Sequence, residues 1–206
     1  MSSREDILAR VRKNQPSATT LPDVPTFDRT IASLSETFKA AFTRMGGKLA
    51  EPPRDGNLTQ LVRSLFPDAR MICSATPEVE GNRALDLEAP PAALDDVDVG
   101  VVRAVYGVAE TGSVWITQAQ FKVSALGFLS QHLVVLLDPA AIVADLHAAY
   151  RWRGFRDARY CALMSGPSAT ADIEGVLIRG AQGIRSLTVV FLAAPAAAAA
   201  EPRRTA

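Results

Sequence analysis

The stretch Gly166-Pro167-Ser168-Ala169-Thr170-Ala171-Asp172-Ile173-Glu174 decides how this chain is read. The short apolar run Tyr160 to Met164 precedes it, and Ile173, Val176 and Leu177 follow at helical spacing. The pattern predicts a strand, a tight Gly-Pro turn and the start of a helix. Ser168 or Thr170 would cap that helix through a side-chain oxygen. Asp172 and Glu174 would then occupy its first turn, where the dipole favours negative charge by roughly 0.3–1 kcal/mol each. A strand–turn–helix junction of small residues exposes backbone N–H groups. In a parallel α/β sheet such junctions hold ligands, often anionic ones.

Outward from this stretch, short apolar runs alternate with amphipathic segments. Strands are expected near 48–50 and over 70–74, 97–102, 114–117, 133–137, 160–164 and 187–192. Thr26 is placed to cap a helix whose stripe runs Phe27, Ile31, Leu34, Phe38, Phe42 and Met45, ended by Gly46-Gly47. Residues 57–65 read as a second helix, and Asp138-Pro139 as the start of a third reaching about Arg153. The alternation argues an α/β fold with a mainly parallel sheet covered by helices on both faces. Tyr160–Met164 and Leu187–Leu192 are expected in that sheet, joined by the helix of the opening stretch. Residues 1–25 form an N-terminal helix with Ile7, Leu8 and Val11 on one face, then a Pro-rich linker. Residues 26–193 form the α/β domain, and residues 194–206 an Ala-rich disordered tail.

Composition narrows the function classes. The chain has 206 residues, enough for one domain, and 48% are hydrophobic. Lys and Arg total 22, as do Asp and Glu, so no basic excess is present to hold a nucleic acid. No apolar run approaches the roughly 20 residues of a membrane span, and no signal-peptide core follows Met1. A cytoplasmic location is expected. Cys73 and Cys161 sit in predicted strands and read as buried, reduced thiols. Two cysteines cannot supply the four thiolates of an ordinary iron–sulfur cluster.

Two motifs carry a resemblance. The first is the opening stretch followed by Leu187-Thr188-Val189-Val190-Phe191-Leu192; the second is Val108-Ala109-Glu110-Thr111-Gly112-Ser113-Val114. With Gln131-His132-Leu133-Val134-Val135 between them, the order and spacing resemble the lactate-utilisation (LUD) domain family over roughly residues 30–193. One departure stands out. Where the family commonly shows V-H-G-P, this chain reads Ala181-Gln182-Gly183-Ile184, so a role given to that histidine in relatives does not transfer. The resemblance implies the three-layer fold group of ribose-5-phosphate isomerase, glucosamine-6-phosphate deaminase, the CoA transferases and formyltetrahydrofolate cyclo-ligase. Those enzymes place ligands at strand C-termini. It also implies a part in oxidising L-lactate to pyruvate beside iron–sulfur partner subunits, with no cofactor bound by this chain.

Both motifs end predicted strands, so they are expected to meet across one cleft. Glu110 is the candidate catalytic residue, since a carboxylate can serve as general base or as nucleophile in acyl transfer. Thr111, Gly112, Lys122, His132, Gly166, Ser168 and Thr170 are the candidate substrate-binding residues, suited to a small carboxylate or phosphorylated ligand. Each has a plain structural alternative: Glu110 as an acceptor of loop N–H groups, Ser168 and Thr170 as caps, Lys122 as a solvated lysine. His132 and His147 lack partners at metal-ligand spacing, so no metal site is read. Two rival functions stay open. One is an acyl- or CoA-transferring enzyme with a Glu110 nucleophile; the other is a diverged binding module for a small metabolite. A homo-oligomer is compatible with either.

Overall fold

Short apolar runs build a five-stranded and a four-stranded sheet, beside a two-stranded hairpin, in the computed structural model, which describes residues 3–17, 19–20, 22–23, 25, 30–151, 154 and 157–195. The strands are β1 Lys48–Ala50, β2 Ile72–Ser74, β3 Val99–Arg103, β4 Tyr106–Val108, β5 Ser113–Thr117 and β6 His132–Leu137. Then follow β7 Ile142–Val143, β8 Cys161–Met164, β9 Ala169–Thr170, β10 Ile178–Arg179 and β11 Ser186–Phe191. The helices are α1 Ser3–Lys13, α2 Leu34–Arg44, α3 Leu58–Leu65, α4 Gln118–Phe121, α5 Leu126–Leu129 and α6 Leu146–Arg151.

The larger sheet has the order β1-β11-β6-β3-β2 and is parallel throughout. Its central strands are near-continuous Val and Leu because both faces are covered. Phe38 and Phe42 of α2 pack with Val102, Leu133, Val135, Leu187 and Val189 on one face. Leu58 and Val62 of α3 pack with Val99, Val101, Val134, Leu136 and Val190 on the other. Helix α2 starts where the Ser33 Oγ accepts the Glu36 N–H at 3.3 Å, and α3 where Asn57 Oδ1 accepts the Gln60 N–H at 3.0 Å. The smaller sheet, order β7-β4-β5-β8, is mixed. Strands β4 and β8 both run antiparallel to β5. One face adds Val114 and Ile116 to the α2 core; the other stacks Tyr106 on Trp115 at 5.0 Å. Helix α1 buries none of its residues. Among the described residues no helix is long and apolar enough to cross a membrane.

Four expectations need correction. Helix α2 begins at Leu34, not after Thr26, because Ser33 supplies the cap; Thr26 and Phe27 lie outside the described residues. The helix expected from Pro139 is one 3-10 turn over Pro139–Ala141, after which Ile142 and Val143 pair with Gly107 and Val108 as β7. The two β-branched residues fit a pleated edge better than a helix. Helix α6 then starts behind Asp145, whose Oδ1 accepts the Ala148 N–H at 2.7 Å.

The helix expected after Gly166 is a hairpin. Strands β9 and β10 pair antiparallel, and the chain turns between them through Glu174 at φ 54° and Gly175 at φ 70°. Ile173, Val176 and Leu177 are 50–60% exposed, so nothing covers the face their spacing implied. Three apolar residues without a packing partner do not offset helix nucleation. Finally, residues 161–164 form β8 of the mixed sheet rather than a strand of the parallel one. Strand β4, the strand expected before Glu110 but given no bounds from the sequence, is three buried residues long. Of the expected tail, residues 196–206 lie outside the described residues.

Candidate functional site

Strands β4 and β8 flank β5 and run the same way, so their ends share one edge of the smaller sheet. The two motifs therefore meet. After β4 the Glu110-Thr111-Gly112 turn closes with the Gly112 N–H donating to the Val108 carbonyl at 2.9 Å. After β8 the Ser165 Oγ donates to the carbonyls of Thr111 and Gly112, at 3.1 and 3.0 Å. Both motif glycines have positive φ, 63° at Gly112 and 71° at Gly166. A Cβ at Gly112 would collide with the Phe42 backbone, and one at Gly166 with the Met45 carbonyl oxygen. Only glycine lets both turns close on the end of α2.

Beside this junction lies a cleft of about 240 Å³, lined among others by Phe128, Ser165, Gly166, Ser168, Gln182 and Gly183. Its wall is tied down by backbone bonds. The Ser168 N–H donates to the Ile184 carbonyl at 3.0 Å, and the Gly180 N–H to the Ser168 carbonyl at 2.6 Å. The Ser168 hydroxyl donates to the Gln182 carbonyl. The cleft is part apolar, through Phe128, Met164 and Ile184, and part polar, which suits a small organic ligand.

The predicted residues divide. Gly166 and Ser168 line the cleft, and Thr111 and Gly112 adjoin it through Ser165. Thr170 bonds locally: its Oγ1 donates to Asp172 Oδ2 at 2.8 Å and accepts the Asp172 N–H at 3.2 Å. Glu110 is exposed, and its Oε2 accepts the Leu146 N–H at 3.2 Å, which holds the start of α6. Lys122 ends α4 at φ 61°, ψ −57°, while the Val123 N–H donates to the Phe121 carbonyl at 2.7 Å. That is the strained, positive-φ form of the γ-turn. His132 heads β6 on the sheet face that carries Val134 and Leu136, with α3, whereas Leu133 and Ile184 belong to the other face. The expectation that His132 lines the same cleft is corrected by strand alternation.

Sequence reasoning missed Phe128, Gly183 and Ile184, which come from loops without periodicity. For Gln182 a signal existed: the departure from the V-H-G-P pattern noted in the sequence falls at this position, which lines the cleft. Its amide can donate and accept hydrogen bonds but does not titrate.

At the carboxyl edge of the parallel sheet, where ligands were expected, an ion pair occupies the surface. Arg103 Nε donates to Glu78 Oε1 at 2.7 Å, and its Nη1 donates to the Leu192 carbonyl at 3.1 Å. Thr76 donates to the other carboxylate oxygen. The two charged side chains are 15% and 16% exposed. Among the described residues no group of three or more His, Cys, Asp and Glu could hold a metal ion.

Residues 91–192 match the model of the LUD domain family. A solved DUF162 family protein from Deinococcus radiodurans shares the fold with a TM-score of 0.60 and 17% identity. The match covers 77% of this chain and 95% of that one. Curated proteins give no match.

Proposed function

Taking residues 91–192 as a LUD domain, we propose that this chain is a lactate utilisation protein C-like subunit acting in oxidation of L-lactate to pyruvate. Lactate gives up two electrons and two protons in that reaction, and iron–sulfur partner subunits receive the electrons. The chain's own residues do not fit a four-cysteine cluster: Cys73 lies in β2 and Cys161 in β8. Its contribution is binding and orientation. The observation that carries the reading is that both family motifs converge on the wall of one small, partly polar cleft. In this reading the Gln182 side-chain amide orients a small carboxylate there, and the Ser168 hydroxyl, which donates to the Gln182 carbonyl, holds that wall in place. The acyl-transfer reading draws less support, because Glu110 is exposed, turned to the Leu146 N–H at the start of α6 and not among the residues lining the cleft.

The test is reconstitution. The chain is purified anaerobically alone and together with iron–sulfur subunits of a lactate-oxidising system, and lactate-dependent reduction of an electron acceptor is followed. Activity is expected only in the mixture, with less than one cluster per copy of this chain alone. A Ser168→Ala, Gln182→Ala variant should raise the KM for lactate in the mixture. Full activity of the partners without this chain would overturn the proposal, as would turnover by the chain alone. A hydroxylamine-trapped adduct at Glu110 would move the assignment to acyl transfer.

A further inference from the structure

The larger sheet ends on β1 and β2, the smaller on β7 and β8. Three of these edges are guarded. Strand β1 starts on Lys48 and runs into Glu51-Pro52-Pro53. Along β2 the following segment closes the edge: Asn82 Oδ1 accepts the Ile72 N–H at 2.8 Å, and the Arg83 N–H donates to the Ile72 carbonyl at 3.0 Å. Strand β7 is two residues long. Charge, proline, cover and shortness are the devices that keep a sheet edge from pairing with another chain. Strand β8 has none of them. Tyr160-Cys161-Ala162-Leu163-Met164 carries no charge and no proline. None of its residues is buried, whereas β5 beside it is buried at every position but the last.

The phase of the hydrogen bonds shows which groups of β8 face outward. The Gln118 N–H donates to the Tyr160 carbonyl at 3.0 Å. Register places Ala162 opposite Ile116 and Met164 opposite Val114. Antiparallel bonding alternates, so Ala162 and Met164, in step with Tyr160, exchange bonds with β5. On the far side of β5 the Trp115 carbonyl accepts the Val105 N–H at 2.9 Å, as the same phase requires. The N–H and C=O groups of Cys161 and Leu163 therefore point away from the sheet, and among the described residues they have no hydrogen-bond partner. Two residues apart on one strand, they are complementary to themselves. A second copy laid antiparallel, Ala162 opposite Ala162, sets Cys161 of each against Leu163 of the other and closes two main-chain bonds at each pair.

We propose that the chain forms a two-fold dimer through β8, which makes one continuous sheet of the two four-stranded ones. The side chains suit it. Ala162 is small and meets its copy at the non-hydrogen-bonded position, where Cα atoms approach to about 4.5 Å. Ala162 and Met164 pack on the α2 face, Cys161 and Leu163 on the Trp115 face. Alternation puts Tyr160 on the α2 face as well, opposite Met164 of the second copy, where ring and sulfur attract. Tyr160 is 40% exposed, and Phe128, whose ring it meets edge-on at 6.3 Å, is 39% exposed. Met164 and Phe128 line the cleft. Each copy thus brings Tyr160 to the rim of the other's cleft. The pairing is independent of the lactate reading, and its test does not use activity.

Light scattering of the full chain over a dilution series should give about twice the chain mass. Cys161→Pro removes one outward N–H from each copy, at the first residue of an edge strand, where proline is tolerated. The two bonds lost per dimer should weaken association by roughly tenfold or more, with the far-UV spectrum unchanged. Cross-linking reads the register. A Cys161→Ser, Ala162→Cys variant sets two thiols within disulfide reach, and mild oxidation should link its copies. In the wild-type chain the two Cys161 residues are out of step, beyond the roughly 7 Å that a disulfide bridges, and should stay unlinked. A monomer at every concentration, a folded Cys161→Pro chain that dimerises as well as wild type, a folded Ala162→Cys variant that fails to link, or linked wild type would each overturn the proposal. Should Cys161→Pro not fold, the cross-linking decides alone.

Discussion

At the residue scale, the motif glycines serve packing before chemistry. Gly56 and Gly166 have nearly the same φ, 72° and 71°, but a Cβ at Gly56 meets nothing within 4 Å while one at Gly166 meets the Met45 carbonyl. Gly56→Ala should therefore cost about 1–2 kcal/mol, the left-handed penalty alone. Gly166→Ala should cost a further 1–3 kcal/mol or so, because α2 must move. Urea unfolding of the two variants measures the difference, and equal losses would mean that α2 yields freely. Lys122 gives the opposite sign. Its γ-turn backbone suits glycine, so Lys122→Gly should stabilise the protein by about 1 kcal/mol. Lost stability would reveal a contact made by the lysine side chain. The sequence offered no hint of this strain, since Phe121-Lys122-Val123 looks like any amphipathic segment.

At the element scale, the Arg103–Glu78 pair closes the carboxyl edge. It ties the segment after β2 and the end of β11 to β3. Arg103→Met alone leaves a poorly solvated carboxylate and should destabilise by on the order of 3 kcal/mol. Replacing Glu78 with Gln as well should recover part of that loss, and a double-mutant cycle in urea yields the coupling. Strict additivity would show the pair to be incidental. What was legible at this scale follows burial. Strands β3, β6 and β11 announce themselves because both faces are buried and each holds an unbroken run of Val or Leu. Strands β4 and β7 are three and two residues long, too short to establish a period, and take their pairing from tertiary context. The hairpin β9–β10 was misread for a related reason. Five residues of helical spacing satisfy the pattern without being able to nucleate the structure.

At the scale of the whole molecule, the meeting of the two motifs was legible, but through the wrong sheet. The expected cause was the common edge of a parallel sheet. The observed cause is that β4 and β8 both oppose β5. Gly166 and Ser168 could be identified ahead of the fold, whereas the facing wall from Phe128 and residues 182–184 depends on loop paths that no local signal encodes. One feature of the parallel sheet also reaches into how the chain is made. Its first strand, β1, has a single neighbour, β11, the last strand of all, with Lys48 opposite Thr188. On the ribosome, at roughly 5–20 residues per second, the amino-terminal third of the domain emerges on the order of ten seconds before its partner. Throughout that interval β1 has an unclaimed edge, and the apolar stripe of α2 lacks Leu187 and Val189 to pack on. Nascent chains stopped short of residue 186 would carry that surface bare, open to proteases and to the holding chaperones that recognise it.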